Sequence, residues 1–376
     1  TVAGVEQALL PAGAVTVTPP AGRDDRDVES SPSPPPAQGH RRPVTPWTNP
    51  LRLWLTGRVI EESDPVPAQL RALGYPDAHW LAAGMEADVY ALDEQSVARL
   101  PRDAAAAATA SKGPVERLLE ALSRCRLPFT VPAPLGRLAL PDGRSLLRQP
   151  RLRGRSIGDF YDPTSGHLDP RAEQALVELL SALHIIPKQQ LVPAFESVPG
   201  LPLLGERTVA TGQHWATALQ ELLEDRAQRF AGLLRTHVDG LDALLHACSA
   251  FLASRRAVPV TLQHGDVCPE NVLVDDDCRL SAVLDWGFLT MLADPVLEMA
   301  MTSGFFDMYG PHALDTDRRL VDVFVEAFDV ERGDVLRFKA VYALIGANAY
   351  SGTADGHFRW CAAVLGRSDV RSAVLS

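Results

Sequence analysis

One short β-rich segment, 258–284, interrupts a region in which apolar residues otherwise recur at helical spacing. It contains two apolar runs, 271–274 and 280–284, that are separated by an acidic turn, a pattern typical of a β-hairpin. A hairpin brings the ends of its two strands side by side, so we expect Asn271 and Asp285 to become neighbours. Any fold that suits this chain must therefore hold a small hairpin within a largely helical body.

Asp266 precedes the hairpin, so its carboxylate should join the same cluster as Asn271 and Asp285. Phosphoryl transfer needs a carboxylate that orients the attacking hydroxyl and accepts its proton, and oxygen ligands for the magnesium ion on the phosphates. Asp266 could be this catalytic base, while Asn271 and Asp285 could be the magnesium ligands. These three residue types are chemically sufficient for phosphoryl transfer.

The region 51–153 combines strand-like and helical signals. Strand signals occur at 88–92, 96–100 and 145–152, and a helix is predicted at 114–123, where Pro114 suits the first turn and leucines share one face. This pattern predicts a small antiparallel sheet that carries one helix. Gly154, which follows the last of these strands, suits a hinge between this lobe and the next.

The chain becomes helical after the hinge. Apolar residues recur at three- and four-residue spacing through 175–183, and Pro187 ends that run. The segment 215–251 predicts two helices that are broken near Asp239 and Gly240. The predicted fold class is α+β, with a small antiparallel-sheet lobe followed by a mainly helical lobe that bears the hairpin.

The first 50 residues have a different composition. They hold ten of the 30 prolines, with few apolar side chains to bury. This composition predicts a disordered or polyproline-like tail. We therefore expect three parts, which are the tail 1–50, a nucleotide-binding lobe 51–153 and a catalytic and substrate-binding lobe 154–376.

Charge and cysteine usage limit the class of partner. The net charge of −11 argues against nucleic acid as a partner, because an acidic protein repels a polyanion at long range. The most apolar window, 282–301, contains three carboxylates, which argues against a membrane span. Five scattered cysteines without Cys-x-x-Cys spacing indicate reduced thiols in a cytoplasmic protein. The sequence does not indicate an oligomeric state.

The string HGDVCPENVLVDD resembles the catalytic-loop motif His-Gly-Asp-x-His-x-x-Asn-Val-Leu of aminoglycoside and macrolide phosphotransferases and choline-kinase-like enzymes. The later string VLDWGFLTMLADPVLEMA resembles their metal-binding segment, in which Asp-Trp is followed by Asp-Pro. The resemblance implies a two-lobed, protein-kinase-like fold. It also implies that Asp266 is the catalytic base, that Asn271 and Asp285 bind magnesium, and that His264 and Asp294 are supporting groups.

The chain departs from the family pattern at two positions. Cys268 stands where the motif has its second histidine, and Glu298 stands where an aspartate usually follows Asp-Pro. Phosphoryl transfer strictly requires neither of the family residues. We interpret Cys268 as a small packed residue and not as a nucleophile.

The nucleotide side has weaker signals, which include one glycine in the predicted phosphate loop. The pieces at 84–90 and 96–102 resemble the family's strand-turn-strand, with Gly84 in the loop and Arg99 as the phosphate-binding cation. Glu116 matches the position whose carboxylate pairs with that cation. The alternatives are an exposed arginine on a strand and a solvated glutamate on a helix.

The resemblance suggests that Asp307, Asp315 and Asp317 could face an amino-sugar substrate, although acidic surface positions are common. His184, beside an apolar helix face, is interpreted as a structural histidine.

The leading hypothesis is a small-molecule kinase. It would use Mg²⁺ and transfer the γ-phosphate of ATP or GTP to a hydroxyl of a small molecule, for which the resemblance implies an antibiotic. One alternative is a metabolic kinase for a sugar, an amino alcohol or a homoserine-like substrate. Another is a pseudokinase that binds nucleotide without transferring phosphate.

Overall fold

The computed structural model describes residues 68–83, 87–101, 113–140, 145–196, 202–204, 207–208 and 213–376. The predicted proline-rich tail and Gly84 of the predicted phosphate loop lie outside these residues. No helix of the described ranges is long and apolar enough to span a membrane. The described part begins with a short helix, α1 (Ala68–Ala72).

Five antiparallel strands form a sheet in the order β1-β2-β3-β5-β4. They are β1 (His79–Ala83), β2 (Ala87–Ala91), β3 (Ser96–Pro101), β4 (Gly136–Ala139) and β5 (Ser145–Pro150). Side chains alternate across a strand, so Ala98 and Leu100 of β3 enter a small apolar core while Arg99 lies on the opposite face. This sheet corresponds to the predicted one.

The helix between β3 and β4 is α2 (Pro114–Leu122). It begins where expected, because Pro114 occupies the first turn and Glu116 reaches back to accept a hydrogen bond from the Gly113 N–H at 3.2 Å. Its leucines pack in the same apolar cluster as Val272 and Val283 of the predicted hairpin. Helix α2 therefore connects the sheet region to the hairpin.

Gly154 follows β5 and adopts φ +147°, which side-chain-bearing residues rarely adopt. A Cβ at this position would lie 2.9 Å from the Leu273 Cβ and 3.0 Å from the Val274 carbonyl oxygen. Glycine is thus required by both backbone conformation and space. The lobe boundary at 153/154 remains a prediction.

The next segment contains short strands and two helices: β6 (Arg155–Ser156), β7 (Tyr161–Asp162), β8 (His167–Leu168), α3 (Pro170–Ile185) and α4 (Lys188–Phe195). Asp169 caps the N-terminus of helix α3, and its carboxylate accepts from the Arg171 N–H at 2.8 Å. Its buried leucines are those that the spacing predicted, and the helix ends before Pro187. The strands β9 (Pro202–Leu203) and β10 (Arg207–Thr208) follow.

Two longer helices come before the hairpin, α5 (Trp215–His237) and α6 (Leu241–Ser254). The break between them lies at Gly240, which has φ +63°, as the sequence predicted.

Four short strands follow, of which β12 and β13 form the hairpin: β11 (Thr261–Gln263), β12 (Val272–Val274), β13 (Leu280–Val283) and β14 (Met291–Ala293). Strand β12 pairs with β13 on one side and with β6 on the other, while β11 pairs with β14. The predicted hairpin is present with nearly the expected boundaries.

Helices complete the chain: α7 (Pro295–Thr302), α8 (Ala313–Phe328), α9 (Arg332–Gly346), α10 (Gly356–Gly366) and α11 (Ser368–Leu375). Helix α9 is almost fully buried and packs against α5, α6, α7, α8, α10 and α11. The observed architecture is the predicted α+β class, an antiparallel sheet followed by a mainly helical body that carries the hairpin.

Candidate active site

His264 fixes the backbone on both sides of the candidate site. Its fully buried ring accepts a hydrogen bond from the Asp266 N–H on Nδ1 at 3.1 Å and donates from Nε2 to the Leu284 carbonyl at 2.8 Å. Burial lowers the pKa of His264 to about 4, so the ring is neutral, and it packs on Trp286 with centroids 4.4 Å apart. His264 therefore connects the Asp266 loop with the strand end that precedes Asp285.

Gly265 and Glu298 brace the same loop. Gly265 has φ +85°, and a Cβ there would lie 2.4 Å from the Leu289 carbonyl carbon, so only glycine fits. Its N–H donates to both carboxylate oxygens of Glu298, at 3.0 and 3.3 Å. Burial raises the pKa of Glu298 to about 7. Glu298, which stands where the family pattern has an aspartate, thus supplies a buried carboxylate that holds the loop. The sequence alone did not reveal this role.

The side chain of Asn271 forms two hydrogen bonds with Asp266. The Asn271 Nδ2 donates to the Asp266 carbonyl at 2.9 Å and to its carboxylate Oδ2 at 3.1 Å. Desolvation of the half-buried carboxyl, followed by the charge of Asp285, raises the pKa of Asp266 to about 8. With its nitrogen engaged, Asn271 keeps Oδ1 for another partner, since this atom accepts no hydrogen bond from a described residue.

Asp285 follows β13 in a left-handed conformation, with φ +56°. The neighbouring Leu284 N–H donates to the Asn271 carbonyl at 2.8 Å, which joins the two ends of the hairpin as predicted. The Asp285 side chain is about half exposed, and its Oδ1 lies 3.3 Å from Arg99 Nη2. The structure therefore brings Asp266, Asn271 and Asp285 together.

The available oxygens suit magnesium. Asn271 Oδ1 and the Asp285 carboxylate are hard oxygen donors, and magnesium in nucleotide sites takes one or two protein ligands plus phosphate oxygens and water. No group of three or more His, Cys, Asp or Glu residues that could hold a metal occurs among the described residues. Two oxygen donors fit a magnesium ion whose remaining ligands are phosphate oxygens and water.

The expected pairing of Arg99 with Glu116 is wrong. Glu116 is buried and binds Arg137 of β4, through Nε at 3.2 Å and through Nη2 in a second contact. Its Oε1 also accepts the Gly113 N–H, so both carboxylate oxygens are occupied within this corner of the sheet region. Arg99 shares a sheet face with Arg137, because both are in register with Leu147, but Arg99 reaches Asp285 instead. Sequence reasoning missed Arg137, which no local pattern distinguishes.

The three aspartates expected to face an amino-sugar differ in their surroundings. Asp317 is fully buried and forms ion pairs with Lys339 and Arg367. Asp315 pairs with Arg318 at the surface at 2.9 Å, and Asp307 accepts from the His312 N–H at 3.0 Å. Burial excludes Asp317 from a substrate surface, whereas for Asp307 and Asp315 this role stays a prediction.

Three further residues that the sequence analysis singled out lie in surroundings that suit a structural role. Asp294 is fully buried, begins α7 and binds Arg255 Nε at 2.6 Å. His184 packs edge-on against Phe328 with centroids 5.1 Å apart. Cys268 is half-buried, and burial raises the pKa of its thiol, which disfavours a reactive thiolate.

Comparison with known proteins gives consistent matches. Residues 77–340 match the profile of the phosphotransferase enzyme family. An aminoglycoside 3'-phosphotransferase of Streptomyces fradiae is 28% identical over 177 residues, which cover 40% of this chain and 58% of the relative. The chain thus matches less than two thirds of that relative's length.

Solved structures extend the likeness to the fold. One is a thermostable mutant of an aminoglycoside phosphotransferase in ternary complex with AMP-PNP and hygromycin B, with a TM-score of 0.55 and 17% identity over 82% of this chain and 98% of that one. Another is the GDP complex of an aminoglycoside 2'-phosphotransferase mutant, with a TM-score of 0.52 and 15% identity over 74% and 87%. The predicted fold class is confirmed.

Proposed function

Since the chain belongs to the phosphotransferase enzyme family, we propose that it transfers the γ-phosphate of ATP or GTP to a hydroxyl of a small molecule. The expected substrate is an antibiotic of the aminoglycoside or macrolide type, which the related aminoglycoside 3'-phosphotransferase supports. The observation that carries this proposal is the contact of Asn271 Nδ2 with Asp266 at 3.1 Å, with Asp285 beside them.

In this reaction Asp266 orients the substrate hydroxyl and accepts its proton. Asn271 holds Oδ2 of the carboxylate, which leaves Oδ1 for the incoming hydroxyl. As the hydroxyl oxygen forms its bond to the γ-phosphorus, the bond from that phosphorus to the bridging β-phosphate oxygen breaks, and the nucleoside diphosphate leaves. The proton resides on Asp266 until solvent or product takes it.

Asn271 Oδ1 and the Asp285 carboxylate are the proposed magnesium ligands. A bound magnesium ion supplies positive charge to the phosphates and, by the same charge, lowers the pKa of Asp266 so that its carboxylate can accept a proton. The two ends of the hairpin are held together by the Leu284 N–H, which donates to the Asn271 carbonyl.

Arg99 is the proposed cation for the nucleotide phosphates. Its guanidinium already lies 3.3 Å from Asp285, the proposed metal ligand, so phosphates bound to the metal would come within its reach. Gly84 stays a proposed part of the phosphate loop. Glu116, although it binds Arg137 and not Arg99, is retained as a group that fixes α2 beside the nucleotide.

The decisive experiment measures nucleoside diphosphate formation in a coupled assay, with ATP or GTP and Mg²⁺. The acceptor panel contains aminoglycosides, macrolides, nucleoside antibiotics and small metabolic alcohols. Asp266→Asn should lower turnover by about two to four orders of magnitude while nucleotide still binds. The matched control is Asp276→Asn, the same chemical change on the exposed hairpin turn, which should leave turnover unchanged.

The panel also separates the alternatives. Stimulation only by sugars, amino alcohols or a homoserine-like compound would favour a metabolic kinase. Tight nucleotide binding without acceptor-dependent turnover by any compound would favour a pseudokinase. Normal turnover by Asp266→Asn would refute the assignment of the base.

A further inference from the structure

Thr290 directly precedes β14 and lies beside the end of β11. The two strands are antiparallel, and their register pairs Gln263 with Met291. One residue beyond this pair, His264 after one strand therefore meets Thr290 before the other. Thr290 is fully buried there. Strand pairing thus places a buried hydroxyl next to the loop that carries Asp266.

The Thr290 hydroxyl forms two short hydrogen bonds. It donates to the His264 carbonyl at 2.6 Å and accepts from the Gly287 N–H at 2.8 Å. A hydroxyl has one hydrogen to donate, and a β-branched side chain has few χ1 rotamers, so the geometry of both bonds is restricted. Thr290 therefore bridges the backbone of the Asp266 loop and the backbone of the segment that follows Asp285.

This bridge complements the contact that the His264 ring makes. The ring binds the Leu284 carbonyl at 2.8 Å, one residue before Asp285, whereas Thr290 binds Gly287, two residues after it. The backbone on both sides of Asp285 is thus connected to His264. Asp285 itself has φ +56°, which is uncommon for residues with a side chain, so its neighbours have to hold it in this conformation.

Glu298 and Thr290 hold different parts of the site. Glu298 accepts from the Gly265 N–H and so fixes the Asp266 loop to helix α7. Thr290 binds this loop and also the segment after Asp285. Thr290 therefore acts on the separation between the two carboxylates, whereas Glu298 acts on the loop alone.

The separation of these carboxylates matters for the proposed reaction. Asp266 would hold the attacking hydroxyl, while Asp285, as a metal ligand, would fix where the phosphates lie. The reacting atoms must be aligned about 3–3.5 Å apart, and a displacement of about 1 Å can lower the rate about 100-fold. A group that fixes this separation should thus affect the chemical step more than the binding of the acceptor.

On the basis of the proposed phosphotransferase function, we propose that Thr290 is a positioning residue of this reaction. Its hydroxyl sets the distance between the base, Asp266, and the metal ligand, Asp285. Without the hydroxyl, the Gly287 N–H and the His264 carbonyl lose their common partner. The segment that carries Asp285 can then shift relative to the loop that carries Asp266.

The test compares Thr290→Val, which keeps the shape of the side chain and removes the hydroxyl, with Thr290→Ser, which keeps the hydroxyl. The first measurement gives kcat and KM for the best acceptor of the panel, at saturating nucleotide and Mg²⁺. The second gives the magnesium concentration at half-maximal binding of a fluorescent ATP analogue, and it does not depend on turnover.

Two controls separate positioning from a loss of stability. Thr302→Val makes the same chemical change at another fully buried threonine, whose hydroxyl has no hydrogen-bond partner in the described part of the chain. Val370→Ala removes apolar volume from the core beside helix α11, so it should lower the melting temperature without altering the site.

Thr290→Val should lower kcat about 10-fold to 100-fold, with the acceptor KM within about threefold of the wild type. Its magnesium midpoint should rise about threefold to tenfold, because Asp285 is no longer held in position as a ligand. Thr290→Ser should recover most of both losses. The two controls should match the wild type in kcat and in magnesium midpoint.

Thermal melting verifies that each variant is folded. If Thr290→Val is not folded, Thr290→Ala carries the test, because it removes the same hydroxyl without placing a methyl group against two polar atoms. Failure of both variants to fold, while Thr302→Val and Val370→Ala are folded, would show that Thr290 serves stability and would overturn the inference.

Three further results would overturn the inference while leaving the proposed function intact. They are a wild-type kcat and magnesium midpoint in Thr290→Val, equal losses in Thr290→Ser and Thr290→Val, and equal losses in Val370→Ala and Thr290→Val. A raised magnesium midpoint in Thr290→Val that Thr290→Ser restores, in a protein without turnover on any acceptor, would instead support Thr290 as the group that positions Asp285 and contradict the proposed reaction.

Discussion

Arg99 Nη2 lies 3.3 Å from Asp285 Oδ1, so an ion pair joins the third strand of the sheet to the end of the hairpin. The two side chains are 30% and 54% exposed, and an exposed pair of this kind contributes only about 0–1 kcal/mol to stability. A weak pair can be exchanged at little cost for phosphate and metal. We therefore expect the nucleotide phosphates to bind between Arg99 of the sheet and Asp285 at the end of the hairpin.

Replacing Arg99 with methionine should therefore impair nucleotide binding more than folding. We expect the nucleotide KM to rise about tenfold or more, because a charge-assisted contact to phosphate is lost, while the free energy of unfolding changes by less than about 1 kcal/mol. Arg99→Lys, which keeps the charge without the planar fork, should give an intermediate value. Arg235→Met, which breaks a surface pair with Asp242, is the control, and equal KM values for the two methionine variants would contradict the assignment.

Asp285→Asn and Asn271→Ala should both raise the magnesium concentration needed for half-maximal nucleotide binding. Each change removes or weakens one hard oxygen donor, and we expect a shift of about tenfold for Asp285→Asn. The measurement is a magnesium titration of fluorescent-nucleotide binding, which does not depend on turnover. Asp276→Asn provides a carboxylate control on the same hairpin, and an unchanged magnesium midpoint in Asp285→Asn would rule out the proposed ligand.

The buried ion pairs of Asp317 predict a large effect on stability. Asp317→Leu leaves the buried Lys339 without a carboxylate partner and Arg367 with Asp369 alone, so unfolding should become easier by about 3–5 kcal/mol. The double variant Asp317→Leu with Lys339→Met should lose less than the single Asp317→Leu, because the unpaired ammonium of Lys339 is removed as well. Urea unfolding measures both.

The control for that experiment is Asp277→Asn, which breaks an exposed pair with Arg279 and should change the unfolding free energy by no more than about 1 kcal/mol. A loss of the same small size in Asp317→Leu would mean that the buried network contributes little.

His184 predicts a pH dependence of stability. Burial lowers its pKa from 6.5 to about 4 in the folded protein, so the unfolded chain binds the proton more readily. The stabilising contribution of the neutral ring is therefore present above pH 6.5 and is lost as the pH falls toward 4. Because part of the ring is accessible, we expect a loss of about 1–2 kcal/mol across this window.

His184→Gln should flatten that part of the stability profile, measured as urea midpoints between pH 7.5 and 4.5. His264 and His357 are buried too, and burial lowers the pKa of each to about 4, so some pH dependence should remain. His246→Gln, at an exposed position of α6, serves as the control and should follow the wild-type profile. An identical slope for His184→Gln would show that the ring is protonated in the folded state.

The hairpin and its three polar residues could be predicted because their arrangement is local. Two apolar runs and an acidic turn determine which ends meet, so Asn271 and Asp285 follow from strand pairing alone. The break at Gly240 is equally local, because glycine tolerates the positive φ that ends one helix before the next.

Pairings between distant elements could not be predicted in the same way. Glu116 binds Arg137, 21 residues away, and Gly265 binds Glu298, 33 residues away, and in both cases the partner depends on how sheet, loop and helix pack. The position of Asp317 did leave a signal. It lies three, four and seven residues before the buried Leu320, Val321 and Phe324, so it falls on the apolar stripe of α8 and not on its solvated face.

The buried network of Asp317, Lys339 and Arg367 also restricts which substitutions this sequence can accumulate during evolution. Loss of the central carboxylate leaves the buried Lys339 without a carboxylate partner and Arg367 with Asp369 alone, so the intermediate with only that change should be selected against. We therefore expect homologous sequences to vary at 317, 339 and 367 as a set, with either all three charges or an apolar group at the matching positions. Although Asp317 and Lys339 lie on separate helices and Arg367 lies between two others, the three residues should behave as one inherited unit.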